Sequence, residues 1–553
     1  MTDPSQTAQN SWGEEWDRVS DVVVVGCGAA GASAAATAAS QGASVLVLEK
    51  APQSGGTTSA SRCQLWIPNN RFIRESGRVD DRAGALRYMA RTAYPALYDP
   101  DDETLGIPPD RHRMLAAFYD AAAPTIDFYV EQGAIDIEPV AYPSYYSHLP
   151  EDTIGIGRTI QPVLPDDHVP GRDPSGGQTF VDDLMAFAAA HGAELLVDRQ
   201  VVHLVRGGDG AVIGVEVRVG RRTELIGARR GVIFASGGFL HDEGLVLDYL
   251  KGPVFGGAAS PYATGDFVRI GNEVGARLGN MAHAWWDQVV VEMALRNRAT
   301  IGDVYSPFGD SMLMVNRYGR RAVNEKAPYN ERGQAHHAWD PHRGEYPNLL
   351  LFMIFDEALV QNPHKDMFRW PVPLDHKERY YVIRAATMED LAVALADRLE
   401  TLTPHTGGLS LDDDFLPTLL DTVERFNDHA TAGVDPDFHR GETPIEKVWG
   451  LDPRPGLANG TMAPLADDGP YYCVILGPGA LDTKGGPVTD EQARVLDSAG
   501  EPIPGLYGAG NCVASPAATT YWGPGGTIGP AVTFGAIAAR HAATGPERGP
   551  SGL

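Results

Sequence analysis

Gly26, Gly28 and Gly31, spaced G-x-G-x-x-G, and the carboxylate of Glu49, eighteen residues past the last of them, make a set suited to holding a dinucleotide. The first glycine permits a tight turn, the second lets a pyrophosphate approach the backbone, and the third allows a helix to pack closely on a strand. A carboxylate placed as Glu49 is accepts hydrogen bonds from ribose hydroxyls. Ala30, inside the motif, and Lys50, after the acid, are further candidate contacts. The spacing alone also fits a structural glycine turn, so its flanks decide.

Those flanks are a strand, a helix and a second strand. Val22 to Val25 are four consecutive valines, a run too short for a helix and apolar enough for a parallel strand buried on both faces. Ala32 to Gln41 reads as a helix capped by Gly42, with its first N–H groups facing the phosphates. Val45 to Leu48 is the second strand and delivers Glu49. Beyond it, Gly55-Gly56-Thr57-Thr58-Ser59 resembles the second phosphate and flavin contact of FAD proteins. An NAD-binding unit usually continues here into an ordinary helix, so the residues favour FAD over NAD, with a Ser/Thr-rich surface turn as the alternative.

Two later strands return to this site. Gly231 to Phe234 runs into Ala235, Ser236 and Gly237, which either face the nucleotide or form a tight strand exit. Gly505 to Gly508 runs into Gly510 and Asn511 in the same way. Gly526, Thr527 and Ile528 then lead into a helix with Pro530 as its first residue. The positive end of that helix suits the negative charge of a reduced flavin.

The chain has 553 residues, enough for two to four domains at roughly 150 residues each. Forty-five basic against seventy-two acidic residues leave a net charge of -27, which repels phosphate backbones, so no nucleic-acid partner is expected. Cys27, Cys63, Cys473 and Cys512 lack CxxC spacing and histidine companions, so they read as reduced, mostly buried thiols. The first twenty residues have no basic segment followed by an apolar one, and no run is long and apolar enough for an integral membrane segment. A cytoplasmic protein is expected.

The composition changes character at about Gly279 and again at about Met462. We therefore expect residues 1–20 as a polar N-terminal extension, 21–278 and 463–553 as two parts of one domain, and 279–462 as an inserted domain. Helical periodicity covers residues 80–134 and recurs over Leu416 to His429. Between Ala141 and Pro150 lies an aromatic loop with Tyr142, Tyr145 and Tyr146, either functional or a packed tyrosine cluster. His336 and His337 read as surface histidines, because adjacent residues face apart and no acid has ligand spacing, so no metal is expected.

Together GCGAAG, GGTTS, NEKAPY, the RFN and GVDPDFHRG segments, DTKGG, GLYGAGN and YWGPGGTIGPA resemble the flavoprotein superfamily of fumarate reductases and 3-ketosteroid dehydrogenases. The C-terminal segment is most similar to the 3-ketosteroid Δ1-dehydrogenases, and the likeness runs from about Asp21 to Ala543. It implies an α/β fold: a Rossmann-like FAD-binding domain formed by both chain ends, with an inserted α+β catalytic domain. It also implies noncovalent FAD, since members with covalent FAD use a histidine near GGTT and Thr57 to Trp66 contains none.

The activity implied is proton abstraction next to a 3-keto group with hydride transfer to flavin N5, on a hydrophobic ketone of the steroid type. The family's YxGPG pattern puts the two donors to the keto oxygen at the Tyr521 hydroxyl and the Gly525 amide. Its base, a tyrosine after the Asn-Glu segment, matches Tyr329, and the partner tyrosine of the aromatic loop matches Tyr145. A tyrosine with a free pKa of roughly 10 needs help to act as a base, so the resemblance requires Tyr145 and Tyr329 within hydrogen-bond reach. Three positions depart from or discriminate within the pattern. Ser144 replaces the family's aspartate, Trp522 stands beside the keto site where it would reshape the pocket, and Gly523 occupies the place of a serine in Δ4-(5α)-dehydrogenases. A fumarate-type reductase would need cations, for which Arg317, Arg320, Arg321 and Arg440 are candidates. A flavin electron-relay protein would have little use for the tyrosines. No second nicotinamide site is evident, and the electron acceptor is unidentified.

Overall fold

The computed structural model describes residues 16–169, 173–299, 304, 306–362, 370–373, 379–449 and 454–548. The chain divides into two compact units, one of Met1–Leu250, Ala259–Ala284 and Asp482–Leu553, the other of Lys251–Ala258 and Trp285–Leu481.

In the first unit the valine strand runs Arg18–Val25, starting before Asp21 because Arg18 and Val19 already pair with Ile226 and Gly227. The polar extension therefore stops short of Arg18; residues 1–15 lie outside the described part. Val22 to Val25 are buried between two parallel strands, Val45–Leu48 and Arg222–Phe234. Glu194–Leu196 and Pro502–Gly508 extend the sheet in parallel at either side, so both chain ends build one sheet. The hairpin Gln200–Arg206 with Val212–Val219 closes where Gly207 N bonds to the Ala211 carbonyl. Helices Arg82–Ala93 and Pro109–Glu131 occupy the region of helical periodicity.

The first helix, Ala29–Ser40, starts three residues earlier than its expected start at Ala32 and packs on the C-terminal helix Ile528–Thr544. Small residues make this seam possible: a Cβ on Gly535 would stand 2.4 Å from the Ala30 carbonyl oxygen. Ser33 Oγ donates to the Val532 carbonyl, and Tyr129 Oη bonds to the hydroxyls of Ser33 and Thr37. Pro530 is the third residue of its helix rather than the first, still within the turn whose N–H groups lack intrahelical acceptors.

The second unit is built on a sheet in which Tyr471–Thr483 pairs with Ala284–Val290, Leu351–Asp356 and Val382–Ala385, while Met312–Val315 pairs with Leu351–Asp356. Phe352 and Ile354 share a core with the stripes of helices Met388–Thr406 and Phe415–Ala432, the second covering the predicted stripe at 416–429. These pairings correct the expected borders. The second border falls after Leu481, not 462, because Tyr471 to Leu476 hydrogen-bonds to Leu351–Asp356. All four cysteines are free and buried. Among the described residues no helix is long and apolar enough to cross a membrane.

Candidate active site

The valine strand ends at Gly26, whose φ of +99° and neighbours exclude a side chain: a Cβ would stand 2.5 Å from the Ala235 carbonyl oxygen. A Cβ on Gly31 would stand 2.0 Å from the Gly26 carbonyl oxygen, the close helix-to-strand contact expected of the third glycine. At Gly28 the nearest atom to such a Cβ is the Gly55 carbonyl oxygen at 3.6 Å, so the backbone there is open. Gly28 caps the helix start, and the Gly55 to Ser59 segment folds against it. Gly55 N donates to the Cys27 carbonyl at 2.7 Å, and Ala29 N donates to Thr58 Oγ1 at 3.2 Å. Thr57 Oγ1 accepts from Ser260 N at 3.0 Å, and Ser59 Oγ donates to the Gly56 carbonyl.

The other candidates divide into those that face this site and those already engaged. Glu49 is buried; its two oxygens accept from Cys27 N and Ala51 N at 2.8 Å, and burial raises its pKa against the pull of those amides. Each oxygen keeps a lone pair for a ribose hydroxyl. Lys50 donates to Thr264 Oγ1 and Asp266 at 2.7 Å, so its charge is matched within the protein. Ala30 faces the seam with the C-terminal helix, and a Cβ on Gly510 would come within 3.1 Å of its methyl. Ser236 Oγ is buried and has no hydrogen-bond partner among the described residues. Gly237 has φ +74°. An open backbone at Gly28, helix N–H groups next to it, an acid with free lone pairs and an unsatisfied buried hydroxyl fit an adenine dinucleotide.

Within the same unit the structure brings Tyr145, Tyr521 and Gly525 together. The rings of Tyr145 and Tyr521 lie 5.5 Å apart at 47°. Thr527 Oγ1 donates to the Tyr521 hydroxyl at 3.0 Å, leaving that hydroxyl's own proton to be donated elsewhere. Gly525 has φ +91°, and its carbonyl accepts from Trp66 N and Gly529 N at 3.0 and 2.9 Å. Among the described residues no acceptor is bonded to its N–H. Gly526 N is used by the Gly523 carbonyl, and Ile528 begins the C-terminal helix.

Trp522, expected beside the keto site, packs into an aromatic cluster. Its fully buried indole stacks with Phe118 and lies against Trp66, both at 5.4 Å, inside the first unit. Ser144, where the family has aspartate, accepts from Trp66 Nε1 at 3.1 Å and Arg158 Nη1 at 3.4 Å. Arg158 is buried and neutralised by Asp80 and Asp152.

Tyr329 belongs to the second unit, as the first residue of the helix Tyr329–Ala335. Its buried ring stacks on Trp449 at 6.4 Å. Arg332 on this helix donates to Gln288 Oε1 and the Val304 carbonyl, and Gln288 Nε2 lies 3.0 Å from His336 Nε2. His336 is fully buried, which corrects the surface reading. Burial lowers its pKa to about 3, so the ring is neutral, with Nδ1 facing the Asn348 carbonyl and Nε2 accepting from Gln288. Of the cations considered for dicarboxylates, Arg321 pairs with Glu325 and Asp435, Arg440 with Glu325, and Arg317 with Glu345, while Arg320 is exposed. Burial would push Glu325 up, but Arg321 and Arg440 hold its carboxyl below the ordinary range.

The family described as FAD binding domain matches residues 21–528. The chain belongs to this FAD-binding family. The flavoprotein is 32% identical to 4-oxocyclohexanecarboxylate 2-dehydrogenase of Sinomonas cyclohexanicum, over 94% of this chain and 92% of that one. It is also 32% identical to 3-oxosteroid 1-dehydrogenase of Mycobacterium tuberculosis, over 95% and 98% of the two chains. Among solved structures it is similar to 3-ketosteroid Δ1-dehydrogenase of Sterolibacterium denitrificans in complex with 1,4-androstadiene-3,17-dione, with a TM-score of 0.78, 26% identity, and 95% and 99% coverage. It is an FAD-dependent oxidoreductase acting on CH–CH groups.

Sequence reasoning left Asp482 of the flavoprotein unassigned, although it ends an apolar strand just before Thr-Lys-Gly-Gly. Asp482 accepts from Gly238 N at 2.9 Å and from Asn511 Nδ2 at 3.2 Å, tying two of the expected nucleotide segments together. Burial pushes its pKa up to about 6. Asp287 was also unassigned: it is fully buried, and its Oδ2 has no hydrogen-bond partner. Burial pushes its pKa up to about 7, against the pull of Arg332. A carboxyl raised on folding favours the folded state at low pH, and that contribution is lost as pH rises through about 7. Asp287→Asn is therefore expected to raise the melting temperature at pH above that value by about 2–4 °C per kcal/mol gained. The difference should vanish towards the free aspartate pKa of roughly 3.9, as read by thermal unfolding across pH. An equal shift at every pH would sink the assignment.

Proposed function

We propose that this flavoprotein dehydrogenates a hydrophobic cyclic ketone of the 3-ketosteroid class at the Δ1 position. The observation that carries the reading is the pairing of Tyr145 with Tyr521 beside the Gly525 turn. The Tyr521 hydroxyl, polarised by Thr527, and the Gly525 amide donate to the keto oxygen and stabilise the enolate that forms when the neighbouring carbon loses a proton. Tyr329 is the base that takes this proton, and Tyr145 is its supporting hydroxyl. The adjacent carbon loses a hydride and a C=C bond forms. Noncovalent FAD, when bound, supplies the hydride acceptor.

Gly523 supports Δ1 over Δ4-(5α) chemistry. A Cβ there would stand 2.7 Å from Trp66 Cδ1, which leaves no room for a serine. A second reading, a smaller cyclic ketone bearing a carboxylate, is favoured by the equal similarity to 4-oxocyclohexanecarboxylate 2-dehydrogenase. A cytoplasmic location is part of the proposal.

The test is to mix the purified yellow protein anaerobically with 3-ketosteroids, 4-oxocyclohexanecarboxylate and dicarboxylates and to identify the product of whichever bleaches the flavin. Bleaching by a 3-ketosteroid with a new double bond at C1 is expected. Bleaching by the carboxylated cyclohexanone alone replaces the steroid, bleaching in reverse by a dicarboxylate product revives the fumarate-type reading, and no bleaching favours an electron relay.

A further inference from the structure

Tyr145 and Tyr521 come from segments more than three hundred residues apart in sequence, and something must hold their hydroxyls in register. We infer that Tyr88 and Ser144 are positioning residues: a buried two-point clamp that locks the Tyr145 loop to the Tyr521 turn.

Tyr88 lies on the helix Arg82–Ala93 and is fully buried. Its hydroxyl donates to the Trp522 carbonyl at 2.6 Å, one residue from Tyr521, and accepts from Tyr146 N at 3.3 Å, one residue from Tyr145. The same Trp522 carbonyl accepts from Tyr145 N at 3.2 Å. One phenol oxygen therefore joins the backbone on either side of the two candidate tyrosines. Burial raises the pKa of the Tyr88 phenol well above its ordinary value, so it stays a neutral donor.

Ser144 supplies the second point. Its hydroxyl oxygen receives Trp66 Nε1 and Arg158 Nη1, and Trp66 N is bonded to the Gly525 carbonyl. The Arg158 guanidinium lies over the rings of Tyr88 and Trp66, at 5.1 and 5.4 Å, and is paired with Asp80 and Asp152. Both clamp points thus rest on one buried ion cluster. A clamp of this kind touches neither substrate nor cofactor. It acts by fixing geometry, and a misplacement of about 1 Å in such a site costs about a hundredfold in rate.

The inference rests on the proposed roles of Tyr145 and Tyr521, and the experiment separates the two. Tyr88→Phe and Ser144→Ala are made in the holoenzyme, alone and each combined with Tyr145→Phe. With flavin content retained, each single variant is expected to lower kcat by about 10- to 100-fold with KM little changed, because alignment rather than binding is lost. In the Tyr145→Phe background the same changes should cost clearly less, since the Tyr145 hydroxyl is no longer there to be aligned with that of Tyr521. A merely structural role would cost the same in both backgrounds, and that additive result overturns the clamp. Wild-type kcat in both single variants overturns it as well. Should Tyr88→Phe fail to hold flavin, Ser144→Ala and its double variant decide alone. If Tyr145→Phe and Tyr521→Phe themselves keep the wild-type rate, it is the functional reading that fails.

Discussion

Replacing Tyr329 by phenylalanine is expected to lower the rate of substrate-driven flavin reduction at least about a hundredfold, with flavin content and melting temperature unchanged. The expectation of an intact fold follows from how the residue is held. Its ring stacks on Trp449, a contact phenylalanine keeps, and its helix is anchored further along by Arg332 and His336. Those anchors remain when the phenol oxygen is removed. What is lost is the one group assigned to accept the proton, and general-base groups contribute about 10²- to 10⁴-fold. Anaerobic stopped-flow measurement of flavin bleaching across pH reads this directly. A near-wild-type rate removes Tyr329 from the mechanism.

The second large effect is at the keto-oxygen donors. Tyr521→Phe should cost about 10²- to 10³-fold in kcat, the usual loss for one preorganised oxyanion donor. Thr527 donates to the Tyr521 oxygen, so the phenol's own proton, the one Phe removes, is the one assigned to the keto oxygen. Gly525→Ala should be at least as damaging by a different route. The residue sits at φ +91°, and the added Cβ would stand 2.5 Å from Gln64 C and Leu65 N. Both obstacles are backbone, so no side chain can yield, and the turn itself must shift and carry the amide with it. Comparing kcat with the binding of a non-reacting ketosteroid separates the cases. Tyr521→Phe should leave binding nearly intact, while Gly525→Ala should weaken both. Full activity in Tyr521→Phe would refute its role as a donor.

Much of the cofactor-binding unit was legible because its signals are local. Four valines in a row make a buried strand, and positive φ at Gly26 and Gly55 demands glycine whatever the rest of the chain does. His336 was misread because its partners lie elsewhere in the chain: a histidine looks exposed until Gln288 and Asn348 are found to satisfy both ring nitrogens. The border at Leu481 was missed because a strand announces its apolar run but not the sheet it will join.

By itself the sequence determined the glycine cradle, the acid at Glu49, the strand and helix around them, and the tyrosines that the resemblance picks out. These rest on backbone sterics and spacing over tens of residues. Only the tertiary structure decided where the aromatic and charged side chains point. Trp522 is packed among Trp66 and Phe118, and Tyr88 is a link to a carbonyl 434 positions away. Such partners are chosen by packing and by the need to satisfy every buried polar group, and neither is written in the neighbours along the chain.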